Sequence, residues 1–219
     1  MHHLAEDPVV EGAPGPAREQ VTALVLAGGR ATRMGGTDKG LVPLAGRPMI
    51  AWVLDAIAPQ VARVLVNANR NLDAYAGFGF DVVGDVQPGF LGPLAGLATG
   101  MSHADTEFVI TAPCDSPLVA RDLVDRLYSA CVAESADIAV AYDGQRLQPV
   151  FALARTSLRG DLEDWLASGE RKIDRWFARH DTTRVDLSDR ADTFINVNKP
   201  EERDALEARL QEGHRGRAT

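Results

Sequence analysis

Two cysteines, Cys114 and Cys131, are all the thiols this chain of 219 residues offers. They stand in no redox or metal-binding spacing, so no disulfide framework is expected and a reducing cytoplasm is. Histidine is as sparse. Of five, His2 and His3 lie at the N-terminus, and His103, His180 and His214 are scattered, which argues against a His/Cys metal site. No apolar run approaches the ~20 residues of a membrane span. The stretch up to Gln20 holds Pro8, Pro14, Pro16 and several acids but no apolar core, so it does not read as a signal peptide. Basic residues are outnumbered, 23 Lys and Arg against 31 Asp and Glu, giving a net charge of −8. That balance argues against a general nucleic-acid or membrane surface. It leaves a phosphorylated substrate open, because a local cationic pocket overrides the global field.

What is present reads as one α/β domain over 21–211, between a disordered leader at 1–20 and a flexible tail at 212–219. Val21 to Ala27 is a continuous apolar run ending in Gly28-Gly29, as a buried parallel strand entering a glycine loop would be. Further strands are expected at Val61–Val66, Phe80–Val83, Glu107–Thr111, Asp137–Ala141, Val150–Ala154, Thr183–Leu187 and Thr193–Val197. Helices are expected at Met49–Ala58, Pro93–Met101, Leu118–Ala133, Leu158–Leu166, Ile173–Ala178 and Glu201–Leu210. Strands alternating with helices predict a doubly wound, mostly parallel central sheet with helices on both faces. Polar residues follow the strand ends at Gly28-Gly29, Asn67, Asp85, Asp115 and Asn198. Open α/β sheets bind ligands at that carboxyl edge, so five clusters there predict one site.

The most informative segment is Leu26-Ala27-Gly28-Gly29-Arg30-Ala31-Thr32-Arg33-Met34-Gly35-Gly36-Thr37-Asp38-Lys39. Glycines let backbone N–H groups approach a phosphate or base edge, and Arg33 and Lys39 supply charge for a triphosphate. It is neither a Walker A loop nor a Gly-x-Gly-x-x-Gly fingerprint. Asp115 follows an apolar strand in Pro113-Cys114-Asp115-Ser116-Pro117. A hard carboxylate there suits Mg²⁺, which takes one or two protein carboxylates plus phosphate oxygens and water. The alternative is an N-cap of the helix expected from Leu118. Cys114 beside it reads as a packing residue.

The pattern L-A-G-G-x-x-x-R-M-G-G-x-D-K resembles the signature loop of the molybdenum cofactor guanylyltransferases, within the Rossmann-like nucleotidyltransferases. The resemblance runs from Val21 to near Leu210. Sugar-phosphate relatives carry a Pro-Lys pair where this chain has Asp38-Lys39, and cytidylyltransferase relatives usually carry Ala where it has Gly28. The resemblance implies that Leu26, Ala27, Gly28, Gly29, Lys39, Asn67, Asp85, Gly96 and Asp115 bind the nucleotide. Asn67 would hold the guanine side. Asp85 would meet the ribose, the base edge or water on the metal. Gly96, in Gly92-Pro93-Leu94-Ala95-Gly96, would belong to a site wall. Asn196 and Asn198, in Asn196-Val197-Asn198, would serve the pterin substrate, with Asn198 the one favoured for the site. Each also has a plain structural reading, as a turn, a cap or a tight helix entry. Gln148-Pro149 and Glu170-Arg171-Lys172 would line the acceptor pocket, or, for Arg171-Lys172, form a solvated helix face.

The implied reaction is GMP transfer from GTP to the terminal phosphate of molybdopterin or Mo-molybdopterin, with Mg²⁺ as cofactor and Arg33, Lys39 and Asp115 as the catalytic set. Transient contacts with cofactor-handling proteins and molybdoenzyme chaperones are a further expectation. Two rival readings stand beside it: a cytidylyl- or sugar-phosphate nucleotidyltransferase, and a silent nucleotide-binding or adaptor protein.

Overall fold

β1 (Val21–Leu26) is the strand around which the molecule is laid out. The computed structural model describes residues 17–27, 38–85 and 92–215. Ahead of β1, Gln20 N donates to Ala17 O, and Ala17 is fully buried in the core. Packed chain therefore starts before Val21, where the domain boundary was expected. Next come β2 (Pro43–Leu44), β3 (Arg47–Pro48), α1 (Met49–Ile57), β4 (Arg63–Asn67), α2 (Leu72–Ala76) and β5 (Asp81–Val83). They are followed by α3 (Pro93–His103), β6 (Phe108–Pro113), α4 (Leu123–Ala133), β7 (Ile138–Tyr142) and β8 (Leu147–Arg155). The chain closes with α5 (Arg159–Ala167), α6 (Ile173–Phe177), β9 (Thr182–Asp186) and α7 (Pro200–Arg215).

The main sheet has the order β5-β4-β1-β6-β8-β7-β9. β1 pairs in parallel with β4 and β6, β4 with β5, and β7 with β9. β8 runs antiparallel to β6 and β7. From β1 the chain moves out through β4 to β5, then returns to β6 on the other side of β1. That reversal opens a crevice at the carboxyl ends of β1 and β6.

Alternation along β1 explains its continuous apolar run. Ala23 and Val25 join a core with Val53 and Leu54 of α1 and Leu123 and Leu127 of α4. Leu24 points to the other face, with Leu94 and Leu97 of α3 and Leu162 of α5. Helices thus cover both faces, as expected. α3 lies close on the sheet because Gly96 and Gly100 sit one turn apart on its inner side. A Cβ on Gly100 would be 3.0 Å from Leu24 Cδ2.

Several elements differ from the sequence reading. The helix expected from Leu118 starts at Leu123. Val119 and Ala120 are buried without being helical, so their apolarity mimicked a helix. The strand expected at Thr193–Val197 is absent. Ser188–Phe194 forms a 3-10 segment, begun where Asp186 accepts a bond from Ser188 N. Thr193 and Phe194 are buried there, with Phe194 edge-on to Phe151 at 5.1 Å. Tertiary packing took residues of strand-like composition into a turn. The β2–β3 hairpin, which turns through Ala45 and Gly46 at positive φ, and the short α2 were not anticipated.

Candidate functional site

Three strand ends meet at the crevice. Leu26 at the end of β1 is in register with Asn67 of β4 and Pro113 of β6. Just beyond, Ala27 N donates to Asn67 O at 2.8 Å and Cys114 N donates to Leu26 O at 3.1 Å. The end of β1 therefore stands between the Asn67 side of the site and the Asp115 side.

On the Asp115 side, the Lys39 ammonium donates to Asp115 Oδ2 at 3.0 Å and to Asn198 Oδ1 at 2.5 Å. Lys39 lies on a 3-10 turn, Lys39–Leu41. Asn198 reaches the edge because Val197 N donates to Asp115 O at 2.9 Å, which pins the segment after Ile195 beside the end of β6. With side chains 26% and 15% exposed, Lys39 and Asp115 form a partly desolvated pair that remains open to a ligand. Asp115 is no N-cap, since the next helix begins at Leu123 after Asp122. Cys114 is buried, and burial, then the Asp115 and Asp38 carboxylates, push its thiol far above the usual range. It is a neutral packing group beside the pair, not a nucleophile.

On the other side, Asn67 Nδ2 donates to Asp85 Oδ1 at 2.9 Å and to Val83 O at 3.3 Å. Asn69 grips Asp85 twice, donating from Nδ2 to Oδ2 at 2.8 Å and accepting from Asp85 N at 2.9 Å. Gly96 of α3 lies underneath. A Cβ there would stand 2.5 Å from Leu26 Cδ2 and 2.9 Å from Asn67 Oδ1. The close approach that Gly96 permits is thus to the protein's own Leu26 and Asn67.

Asn67, Asp85, Asp115 and Asn198 all come to one edge, with Leu26, Ala27 and Lys39 among them. Asn196 is exposed, and its Oδ1 accepts from the buried Ser116 hydroxyl, next to Asp115. Gly28, Gly29 and Arg33 lie outside the described residues. Gln148, at the end of β8 nearest this edge, donates to Asp143 Oδ2 at 2.6 Å. Arg171 instead closes the end of α5, donating to Leu166 O at 2.7 Å and Glu170 O at 2.6 Å.

The chain matches the model of the MobA-like NTP transferase domain over residues 23–184. It is 50% identical over 187 residues to the molybdenum cofactor guanylyltransferase of Shewanella halifaxensis, covering 85% of this chain and 94% of that protein. The same identity holds over 186 residues of the enzyme of that name from Shewanella piezotolerans, covering 85% and 91%. This chain belongs to the molybdenum cofactor guanylyltransferase family. Its fold is shared with a solved structure, the molybdopterin-guanine dinucleotide biosynthesis protein A of Archaeoglobus fulgidus. The TM-score is 0.74 at 22% identity, over 87% of this chain and 99% of that one.

Within this guanylyltransferase family member, three polar side chains near the edge, Asn69, Ser116 and Tyr75, were not singled out in the sequence, and Asp38 was given no role beyond its place in the signature loop. Asn69 could have been found from its spacing of two after Asn67, which returns an extended chain to the same face. Ser116 adjoins Asp115 directly. Tyr75 gave no signal, and nothing in the loop pattern pointed from Asp38 to it, because their contact joins residues 37 apart in the chain. Among the described residues, no three His, Cys, Asp or Glu side chains gather as a metal cluster, and no helix is long and apolar enough to cross a membrane.

Proposed function

We propose that this protein transfers GMP from GTP to the terminal phosphate of Mo-molybdopterin. A phosphate oxygen of the pterin attacks the α-phosphorus, the bond from that phosphorus to the bridging oxygen of the β-phosphate breaks, and pyrophosphate leaves. The observation that carries the reading is the Lys39–Asp115–Asn198 cluster at the carboxyl edge of β1 and β6, in a chain half identical to guanylyltransferases over nearly their full length. A phosphomonoester is largely dianionic at neutral pH, so the acceptor needs no general base. Alignment and charge neutralisation then carry the rate.

Lys39 and Arg33 supply positive charge to the triphosphate. Leu26, Ala27, Gly28 and Gly29 present backbone groups to the nucleotide. Asn67 and Asp85 take its base side, and Asn196 and Asn198 the pterin side. The donor set suits Mg²⁺: Asp115 Oδ2 and Asn198 Oδ1, two hard oxygens, already converge on one cationic atom, the Lys39 ammonium. Asp115 would hold the ion, with Asn198 beside it, and phosphate oxygens and water would fill the remaining positions. When bound, the ion neutralises charge on the triphosphate. The reading includes a cytoplasmic location, where GTP is at hand, and transfer of the product to cofactor-handling proteins and molybdoenzyme chaperones.

The test is incubation with Mg²⁺, Mo-molybdopterin and each nucleoside triphosphate in turn. Pyrophosphate and a guanine dinucleotide should form with GTP. Turnover with CTP in its place, or with none of the four, would overturn the assignment.

A further inference from the structure

Asp38 precedes Lys39 in the chain and is 95% buried, with 5% of its surface exposed. Its Oδ1 accepts a 2.7 Å hydrogen bond from the Tyr75 hydroxyl. Its Oδ2 accepts from Asn71 Nδ2 at 3.3 Å and lies 3.9 Å from the Arg70 guanidinium. Tyr75 is the inward residue of α2 and is fully buried. Burial first, then Cys114 and the Asp38 carboxylate, push its phenol far above the usual range, so it remains a neutral donor.

The same hydroxyl also bounds Gly40. A Cβ on Gly40 would be 2.8 Å from Tyr75 Oη and 3.2 Å from Cys114 Sγ. Lys39 is therefore clamped on both sides. Before it, Asp38 is tied to α2. After it, Gly40 rests against Tyr75 and Cys114. Its ammonium then meets Asp115, the residue that follows Cys114. An apolar residue would fill the Asp38 position without the desolvation penalty that a buried carboxylate carries. The charged group fixes direction, because its two oxygens are satisfied only where the α2 donors stand. Its charge faces Arg70, which leaves the Lys39 charge directed at Asp115 and Asn198.

We propose that Asp38, gripped by the Tyr75 hydroxyl, is a positioning residue that sets the Lys39 ammonium against Asp115 and so against the triphosphate. This rests on the reading that Lys39 meets the triphosphate. Neither Asp38 nor Tyr75 touches substrate; both act through Lys39.

A double-mutant cycle separates this from a purely structural role. Tyr75→Phe removes one oxygen and keeps the ring. The dissociation constant of GTP with Mg²⁺ is measured by calorimetry, and kcat/KM for GMP transfer alongside it, in the wild type, Tyr75→Phe, Lys39→Ala and the double variant. Tyr75→Phe should weaken GTP binding roughly tenfold when Lys39 is present and by less than about twofold in the Lys39→Ala background. Should Tyr75→Phe lose its cooperative melt, Asp38→Asn takes its place in the same cycle. An equal loss in both backgrounds, or no loss in either, overturns the positioning role and leaves the proposed function standing. A wild type that binds no GTP overturns both.

Discussion

Lys39 Nζ stands 3.0 Å from Asp115 Oδ2 across 76 residues of sequence, and the same nitrogen touches Asn198. A contact built from the chain's glycine-rich N-terminal segment, its β6 end and its last connection is a poor candidate for a local stability device. Two expected outcomes follow for Asp115. Asp115→Ala should lower kcat for GMP transfer by about 100-fold or more, on the scale of a lost preorganised charge contact. Its melting temperature should stay within a few degrees of wild type, since the pair is partly water-screened. Pyrophosphate release and a thermal melt on the same sample check both. Near wild-type turnover would remove Asp115 from the mechanism.

Lys39 carries the only described cation that faces Asp115 and Asn198 together. On the proposed reading the Lys39 charge answers the β- and γ-phosphates, so Lys39→Ala should weaken GTP about tenfold while affecting GMP much less. At a ligand level near 100 times the wild-type Kd, GTP adds ~2.7 kcal/mol of apparent stability, and a tenfold weaker site would lose ~1.4 kcal/mol of that. Thermal shifts with GTP and GMP read the difference. Equal shifts in the variant and the wild type would sink the role.

Gly96 and Gly100 offer a matched comparison on one helix. Gly96→Ala puts a carbon 2.5 Å from Leu26 Cδ2 and 2.9 Å from Asn67 Oδ1, and Asn67 is held by Asp85. Gly100→Ala meets Leu24 Cδ2 at 3.0 Å and Val109 Cγ1 at 3.3 Å, away from the ligand edge. Both gain ~1 kcal/mol of helix propensity and lose roughly 1–3 kcal/mol to overpacking. Only Gly96→Ala should also weaken GTP, by several-fold, through the displaced Asn67. Comparable GTP affinity in the two variants would show that Asn67 tolerates the shift.

Much of the site was legible because residue type and position relative to a strand end carry the argument. Asp115 and Asn67 follow apolar runs that could only be buried strands, and the switch point brings those ends together. What stayed hidden depended on partners far away in sequence. The Val150–Ala154 pattern is the same whichever way the strand runs, so nothing in it revealed that β8 is antiparallel. Val119 and Ala120 are apolar because they are buried, and burial alone does not distinguish a helix from a turn. Asp38 stands in the loop pattern, but its tie to Tyr75 is invisible until the fold places the two together.

Asp161 of α5 lies away from this edge and offers a test of the fold alone. It accepts hydrogen bonds from Arg179 at 2.9 Å and Trp176 Nε1 at 2.8 Å, with His180 Nε2 at 3.0 Å. The Arg179 bond first, then that of Trp176, hold its carboxyl below the usual 3.8. A folded-state pKa depressed in this way stabilises the protein above the unfolded value and ceases to do so as pH falls through the folded one. Asp161→Asn should therefore melt a few degrees below wild type at pH 5 and above. The loss should be on the order of 1 kcal/mol, because a side chain 34% exposed is screened by water. Further into acid, below that depressed pKa, the two proteins should converge, as the wild-type carboxyl takes up its proton. A gap that persists unchanged into that acid range would mean that the shape of the side chain, and not its charge, holds α5 to α6.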